Sequence, residues 1–244
     1  MRSLLRWLAL AYGLSTTLLF AATAIYAVGF IANLGLPKTI DSGPAGPTAH
    51  ALPINVLLIA LFAVQHSLMA RQGFKRVWTR IVPPPVERST YVLCACLCLL
   101  LLFWLWQPMP AIVWSVEQPL LRLALHATFW SGWVLVLIAA MLTNSLELVG
   151  LRQIWDWCAG RAAGELSLTT TGLYRFVRHP IYVGTFVGFW ATPDMTVGHL
   201  FFAITATAYT VFGTFLEERD LVRTFGDRYR TYQRKVRMLL PIPK

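Results

Sequence analysis

The sequence predicts an all-α, polytopic integral membrane protein: about five or six transmembrane helices, with a C-terminal helical hairpin and an amphipathic tail. Three observations carry this expectation. Of 244 residues, 57% are hydrophobic and only 13% are charged, about half the charged share of a soluble domain. Mean hydropathy is +0.58. The apolar residues also gather into runs close to the ~20 residues that cross a bilayer core. Such a chain lacks the polar surface of a soluble fold of its size. Its apolar content also excludes disorder.

The first apolar run, 4–36, has Arg2 and Arg6 at its start and contains Ala22-Thr23-Ala24, similar to a signal-peptidase site. The run continues well past that tripeptide, which predicts a signal-anchor helix that stays. Residues 37–53, rich in Gly, Pro, Thr and Ser, read as a loop. The second span is 53–70. A basic loop follows at 71–88, carrying Pro83-Pro84-Pro85, and the third span is 91–106. Pro108, Pro110 and Pro119 bracket a short interfacial piece in which Trp104, Trp106 and Trp114 suit a headgroup belt. The fourth span is 120–144 and the polar loop 147–178. The stretch 181–191 is apolar but short and ends at Thr192-Pro193-Asp194, whereas 197–216 is long enough to cross. These two read as a tight helical hairpin. The chain shows no internal repeat and no soluble second domain. A single membrane-embedded domain, 1–244, is expected, with four helices in 1–144, a cytoplasmic loop in 145–180, the hairpin in 181–216 and a cytoplasmic tail in 217–244.

Net charge is +10, from 21 basic and 11 acidic residues. With the N-terminus inside and strict alternation, 19 of the 21 basic residues fall on the inner side, and only Lys38 and Arg122 fall outside. That bias predicts an even number of crossings and both termini in the cytoplasm. A nucleic-acid partner is then superfluous. Cys94, Cys96 and Cys98 share one apolar run at two-residue spacing, and Cys158 stands apart. This is neither a redox pair nor a zinc pattern, so the cysteines read as small packing residues and no metal is expected.

Three polar clusters lie on the inner side. The first runs from Leu173-Tyr174-Arg175 to Arg178-His179-Pro180-Ile181-Tyr182-Val183-Gly184. Pro180 suits the first turn of a helix, whose N-terminus, with Arg175 and Arg178 beside it, favours an anion such as a carboxylate. The second is Glu217-Glu218-Arg219-Asp220, followed by Phe225-Gly226, Tyr229 and Tyr232. It places three of the 11 acidic residues where a membrane helix ends, a costly position that often marks function. The third is Asn144-Ser145-Leu146-Glu147 through Arg152-Gln153, with Gln65-His66-Ser67 at a similar depth. Glu147 near His66 makes a candidate acid–base pair. Each cluster also has a plainer reading: flank charges, carboxylates paired with neighbouring arginines, and a packing histidine.

Arg178-His179-Pro180-x-Tyr182-x-Gly184, then Glu217-Glu218, Phe225-Gly226, Tyr229, Tyr232 and Pro241, resembles the signature of the isoprenylcysteine carboxyl methyltransferase and phospholipid methyltransferase superfamily. Upstream, Gln65-His66-Ser67-Leu68-Met69-Ala70-Arg71, Glu87-Arg88-Ser89-Thr90-Tyr91 and the segment Glu147 to Gln153 are similar to the bacterial methanethiol S-methyltransferases and, more loosely, to the NnrU family. With these the resemblance covers most of the chain. One departure is Ser145, where that subfamily is expected to carry a histidine after Asn144.

The resemblance implies a bacterial inner (plasma) membrane location, S-adenosyl-L-methionine as cofactor, a small thiol as methyl acceptor and dimethyl sulfide as product. It places Glu217 or Glu218 on the cofactor's ammonium or ribose hydroxyls, and Arg178, Arg175 and the helix start at Pro180 on its carboxylate. Tyr182 or a nearby tryptophan would face the sulfonium and His179 would hydrogen-bond the cofactor, with Tyr174 and Tyr229 in the same set. Because a thiolate is the nucleophile, Glu147 with His66 is assigned to deprotonation and Arg152 to holding the anion. Three alternatives stay open: a prenyl-cysteine or lipid acceptor, a nicotinamide-dependent membrane reductase, and a non-enzymatic NnrU-like protein.

Overall fold

A computed structural model describes residues 2–44, 46–143, 145–161 and 167–241. The chain forms α1 (Arg2–Ile31), α2 (Thr48–Met69), α3 (Gln72–Trp78), α4 (Pro84–Leu105), β1 (Ile112–Ser115), α5 (Pro119–Leu142), α6 (Ser145–Leu148), α7 (Leu151–Cys158), a 3₁₀ turn (Gly172–Arg175), α8 (Pro180–Trp190), β2 (Asp194–Thr196), α9 (Val197–Phe225) and α10 (Asp227–Lys235). Five helices (α1, α2, α4, α5 and α9) are long and apolar enough to cross a membrane. The protein is an all-α polytopic membrane protein, with one two-stranded ribbon among the described residues.

The chain divides into two compact units, 1–108 with 144–165, and 109–143 with 166–244. In the first, α4 packs against α1 and α2, and α7 against α1 and α4. One end of this bundle is tied by polar bonds. Asn55, fully buried, donates to the Gln107 carbonyl at 2.8 Å and accepts from its backbone N–H at 2.9 Å. The buried Trp106 indole donates to the Ile40 carbonyl at 3.0 Å. An amide inside an apolar bundle is tolerated because its bonds are made. At Gly150 the backbone is left-handed, at φ 85°, and a Cβ there would lie 2.6 Å from the Ser89 nitrogen. Glycine meets both demands.

In the second unit, α5 and α8 meet backbone to backbone. A Cβ on Gly184 would sit 2.5 Å from the Gly132 carbonyl oxygen, and one on Gly188 would sit 2.8 Å from the Trp133 ring. Gly184 and Gly188 are four apart, so they form one small-residue stripe of the kind that lets membrane helices approach closely. β1 precedes α5 and pairs antiparallel with β2, which precedes α9. The N-terminal ends of α5 and α9 therefore share one end of the unit. α8, with 11 residues, is about 16 Å long, and the extended residues 191–196 complete its path to that end.

Several boundaries differ from the sequence expectation. α2 begins at Thr48, so Pro53 lies inside it as the sixth helical residue, where it removes the bond an N–H would make to the Ala49 carbonyl. The segment 71–88 holds α3, and α4 starts at Pro84, so the triple proline is a helix start. Two of the three belt tryptophans keep exposed faces, while Trp106 is buried. α9 does not stop at Leu216 but carries Glu217 and Glu218 and runs on to Phe225.

Candidate active site

Pro180 opens α8, with His179 as the N-cap residue. α9 presents Glu217 and Glu218 in its last turns, and α10 presents Tyr229, Tyr232 and Gln233. The segment after α10 runs back along 177–179. Val177 and Arg237 form a parallel bridge, the Arg178 N–H donates to the Arg237 carbonyl at 3.0 Å, and the His179 N–H donates to the Met238 carbonyl at 3.2 Å. Tyr232 donates to the Tyr174 carbonyl.

Glu218 is the hub. Arg178 forks onto it, Nε to Oε1 at 2.9 Å and Nη2 to Oε2 at 2.8 Å. His179 Nε2 lies 2.6 Å from Oε1, Tyr229 donates to Oε1 at 2.7 Å, and Gln233 donates to Oε2 at 2.6 Å. The side chains of Arg178 and Glu218 are 8% and 9% exposed. Arg178 Nη1 is spent on the Val236 and Gln233 carbonyls. A desolvated carboxylate holds its charge here because every lone-pair direction meets a donor. Burial, followed by the bond to Glu218, raises the Tyr229 phenol far above its usual range, and burial pushes Tyr232 up to about 12. Both stay neutral at any working pH.

Glu217 differs from its neighbour. Its side chain is 44% exposed. Tyr182 donates to Oε2 at 2.6 Å, and His179 Nδ1 lies 3.8 Å from the same oxygen. The His179 and Tyr182 rings stack, 5.4 Å between centroids and 10° between planes. Beside them the N-terminus of α8 carries no side-chain cap. Pro180 has no N–H and those of Tyr182 and Val183 donate to the His179 carbonyl, so the Ile181 N–H and the helix dipole are what this end offers an anion.

The structure therefore brings together Tyr174, Arg178, His179, Pro180, Tyr182, Glu217, Glu218 and Tyr229. Arg175 is exposed and lies over the Phe176 ring at 6.0 Å. The buried Tyr174 donates to the Ala139 carbonyl at 3.4 Å. Gln233 is the member that sequence reasoning missed. Its signal is the spacing Tyr229, Tyr232, Gln233, one face of a short helix.

The remaining expected residues lie in the first unit. His66 bonds the Tyr91 hydroxyl at 2.9 Å and stacks on Phe62 at 5.2 Å. Glu147 pairs with Arg152 at 3.7 Å, and Arg152 also reaches Asp156 at 3.7 Å. Among the described residues, Glu147 and His66 do not bond each other. Asn144 and the Ser145 side chain lie outside the described residues.

A family model described as phospholipid methyltransferase matches residues 127–228, a stretch that holds the Arg178 and Glu217–Glu218 motifs. The chain is 51% identical over 238 residues to a methanethiol S-methyltransferase of Mycobacterium tuberculosis, covering 98% of each chain. The chain belongs to the methanethiol S-methyltransferase family. A second relative, methanethiol S-methyltransferase 1 of Bradyrhizobium diazoefficiens, is 51% identical over 97% of this chain and 83% of its own. A methanethiol S-methyltransferase of Pseudomonas deceptionensis is 51% identical over 86% and 80%. No solved structure matches. Family membership makes this membrane protein a methyltransferase, and among the described residues the cluster around Glu218 joins Arg178 and His179 to one carboxylate with all three side chains at most 9% exposed.

Proposed function

We propose that the protein methylates methanethiol at sulfur, with S-adenosyl-L-methionine as donor and dimethyl sulfide as product. Likeness to methanethiol S-methyltransferases along nearly the whole chain carries the choice of acceptor. The donor set fits the cofactor. Glu217 offers a half-exposed carboxylate to a cationic ammonium. The uncapped start of α8 suits a carboxylate, and the stacked His179 and Tyr182 rings offer a flat face to the remainder. The cofactor supplies a methyl group on a positively charged sulfur.

Glu218 is fully occupied by protein donors, so its task is to hold Arg178 and His179 in place. Ligand contact falls to Glu217, Tyr182 and His179. Arg178 likewise has most of its N–H groups committed and sets the position of the α8 start. On the acceptor side, the thiol proton passes to Glu147 or His66, and Arg152 supplies the compensating charge. Bound S-adenosyl-L-methionine would supply an electrophilic methyl carbon to the thiolate and would leave as the neutral thioether. Orienting the two sulfurs in line supplies much of the acceleration. The charge bias of the loops supports a plasma-membrane location with both termini in the cytoplasm.

The test is headspace gas chromatography of dimethyl sulfide from purified protein with S-adenosyl-L-methionine and methanethiol. The wild type forms product, and Glu217→Gln needs far more cofactor for the same rate. Methylation of a prenylated cysteine or a phospholipid amine in place of methanethiol would discard the acceptor. Glu147→Gln and His66→Asn should alter the pH–rate profile, and an unchanged profile in both would remove them from proton transfer.

A further inference from the structure

A groove of about 550 Å³ runs along the face of α9 that carries Phe215, Arg219, Val222 and Arg223. Its floor is the Arg178–Glu218 fork with Gln233. Glu217, Tyr182 and His179 do not line it. The fork charges cancel at 2.8 Å, so the positive field of the groove comes from Arg219 and Arg223. Among the described residues Arg219 forms no hydrogen bond or ion pair. Arg223 has Asp220 at 3.3 Å, an exposed contact three residues apart on one helix, with the arginine 79% exposed, which holds it weakly.

The groove also has a direction. Phe215, 53% exposed, belongs to the apolar part of a helix able to cross a membrane. Arg219 and Arg223 follow at successive turns, about 6 Å apart along the axis. Apolar wall therefore gives way to a pair of guanidiniums where the helix turns polar. A ligand that uses the whole groove has an apolar body and an anionic, hydrogen-bond-accepting head, and guanidinium forks match phosphate oxygens. A free soluble anion would leave Phe215 unused. α10 extends the basic surface with Arg228, Arg230, Arg234 and Lys235. A cluster of basic residues next to a membrane helix attracts anionic lipid.

We propose that this groove binds an anionic phospholipid, its phosphate held by Arg219 and Arg223 and its upper acyl region against Phe215. The lipid is a bound partner and not a methyl acceptor. The proposal rests on the groove and the membrane helices, and it is independent of the reaction assigned above.

The test is native mass spectrometry of the full-length protein released from detergent after incubation with phosphatidylglycerol or with phosphatidylcholine of the same acyl chains. The wild type should retain phosphatidylglycerol in preference to phosphatidylcholine. Arg219→Gln with Arg223→Gln should weaken that retention about 30-fold, from two basic contacts. Its unfolding temperature should stay unchanged, since neither arginine holds another element in place. Arg219→Lys with Arg223→Lys should keep the preference for the anionic lipid. Equal retention of the two lipids by the wild type would overturn the proposal. So would undiminished phosphatidylglycerol binding by the glutamine variant, or displacement of the lipid by millimolar inorganic phosphate alone.

Discussion

The second unit contains two arginine–carboxylate forks, one near each end of α9. At the far end Arg178 grips Glu218 at 2.9 and 2.8 Å. At the near end, on β2, Asp194 receives Arg122 at 3.0 and 2.6 Å. Both are bidentate, side-on through Nε and Nη2 at Glu218 and end-on through Nη1 and Nη2 at Asp194, and the surroundings differ far more. The first pair is 8% and 9% exposed and shares its carboxylate with His179, Tyr229 and Gln233. The second is 36% and 42% exposed, and one further donor, Ser115 at 2.7 Å, completes it. Water can replace most of what Arg122 gives Asp194. Nothing nearby can replace what the cluster gives Glu218. The same two residue types thus fasten a surface ribbon at one end and hold a whole site at the other.

The largest effect should come from Glu218→Ala. Stranding Arg178 in a buried site costs about 3–5 kcal/mol. Unfolding temperature should drop sharply and activity should vanish with it. A variant that folds as the wild type does would break the comparison. Glu217→Gln should leave the unfolding temperature of the cofactor-free protein unchanged but weaken cofactor binding by about 1.5–3 kcal/mol, the worth of one charged hydrogen bond. Isothermal titration would show this, and equal loss of fold and binding would mean that the neighbouring glutamates do one job.

Gly184→Ala tests whether the buried end depends on the close approach of α5 and α8. Its Cβ would meet the Gly132 carbonyl at 2.5 Å, a cost of about 1–3 kcal/mol. The control is Gly213→Ala on α9, where a Cβ meets nothing within 4 Å and the change should be neutral or mildly stabilising.

Asp194→Asn should give the smallest effect, a slight lowering of the unfolding midpoint at neutral pH. Hydrogen bonds from Arg122 and Ser115 hold the Asp194 carboxyl below its usual value. Its contribution is therefore complete above the unfolded value of about 3.9 and fades as pH falls through the folded one. Wild type and variant should converge in acid. A gap that persists there would assign the effect to packing.

Much of this architecture is legible in the residue order. Hydropathy alone locates the five long helices, because a bilayer core demands one continuous apolar run per crossing. Pro180 announces the start of α8, and the family resemblance of Arg178, His179, Tyr182, Glu217 and Tyr229 points to the candidate site. Glu217 and Glu218 are equivalent in the sequence, adjacent and chemically identical. Their separation in role needs the helical twist that turns one toward Arg178 and Gln233 and the other toward Tyr182. Helical spacing groups Gln233 with Tyr229 and Tyr232, but its partner lies 15 residues away on another helix, so its bond to Glu218 is shown only by the fold. The ribbon is likewise hidden: β1 and β2 are four and three residues long, and only their pairing stabilises them.

By itself, then, the sequence determined which segments are apolar enough to cross a membrane and which residue types are available to bind a charged cofactor. Both are local properties, set by transfer free energy and side-chain chemistry. The tertiary structure decided which glutamate is buried and saturated and which is left open. It also decided that Arg219 and Arg223 share a groove with Phe215 and the Arg178–Glu218 fork and that glycines bring α8 onto α5. Those outcomes depend on which groups meet across distant elements, and packing decides that.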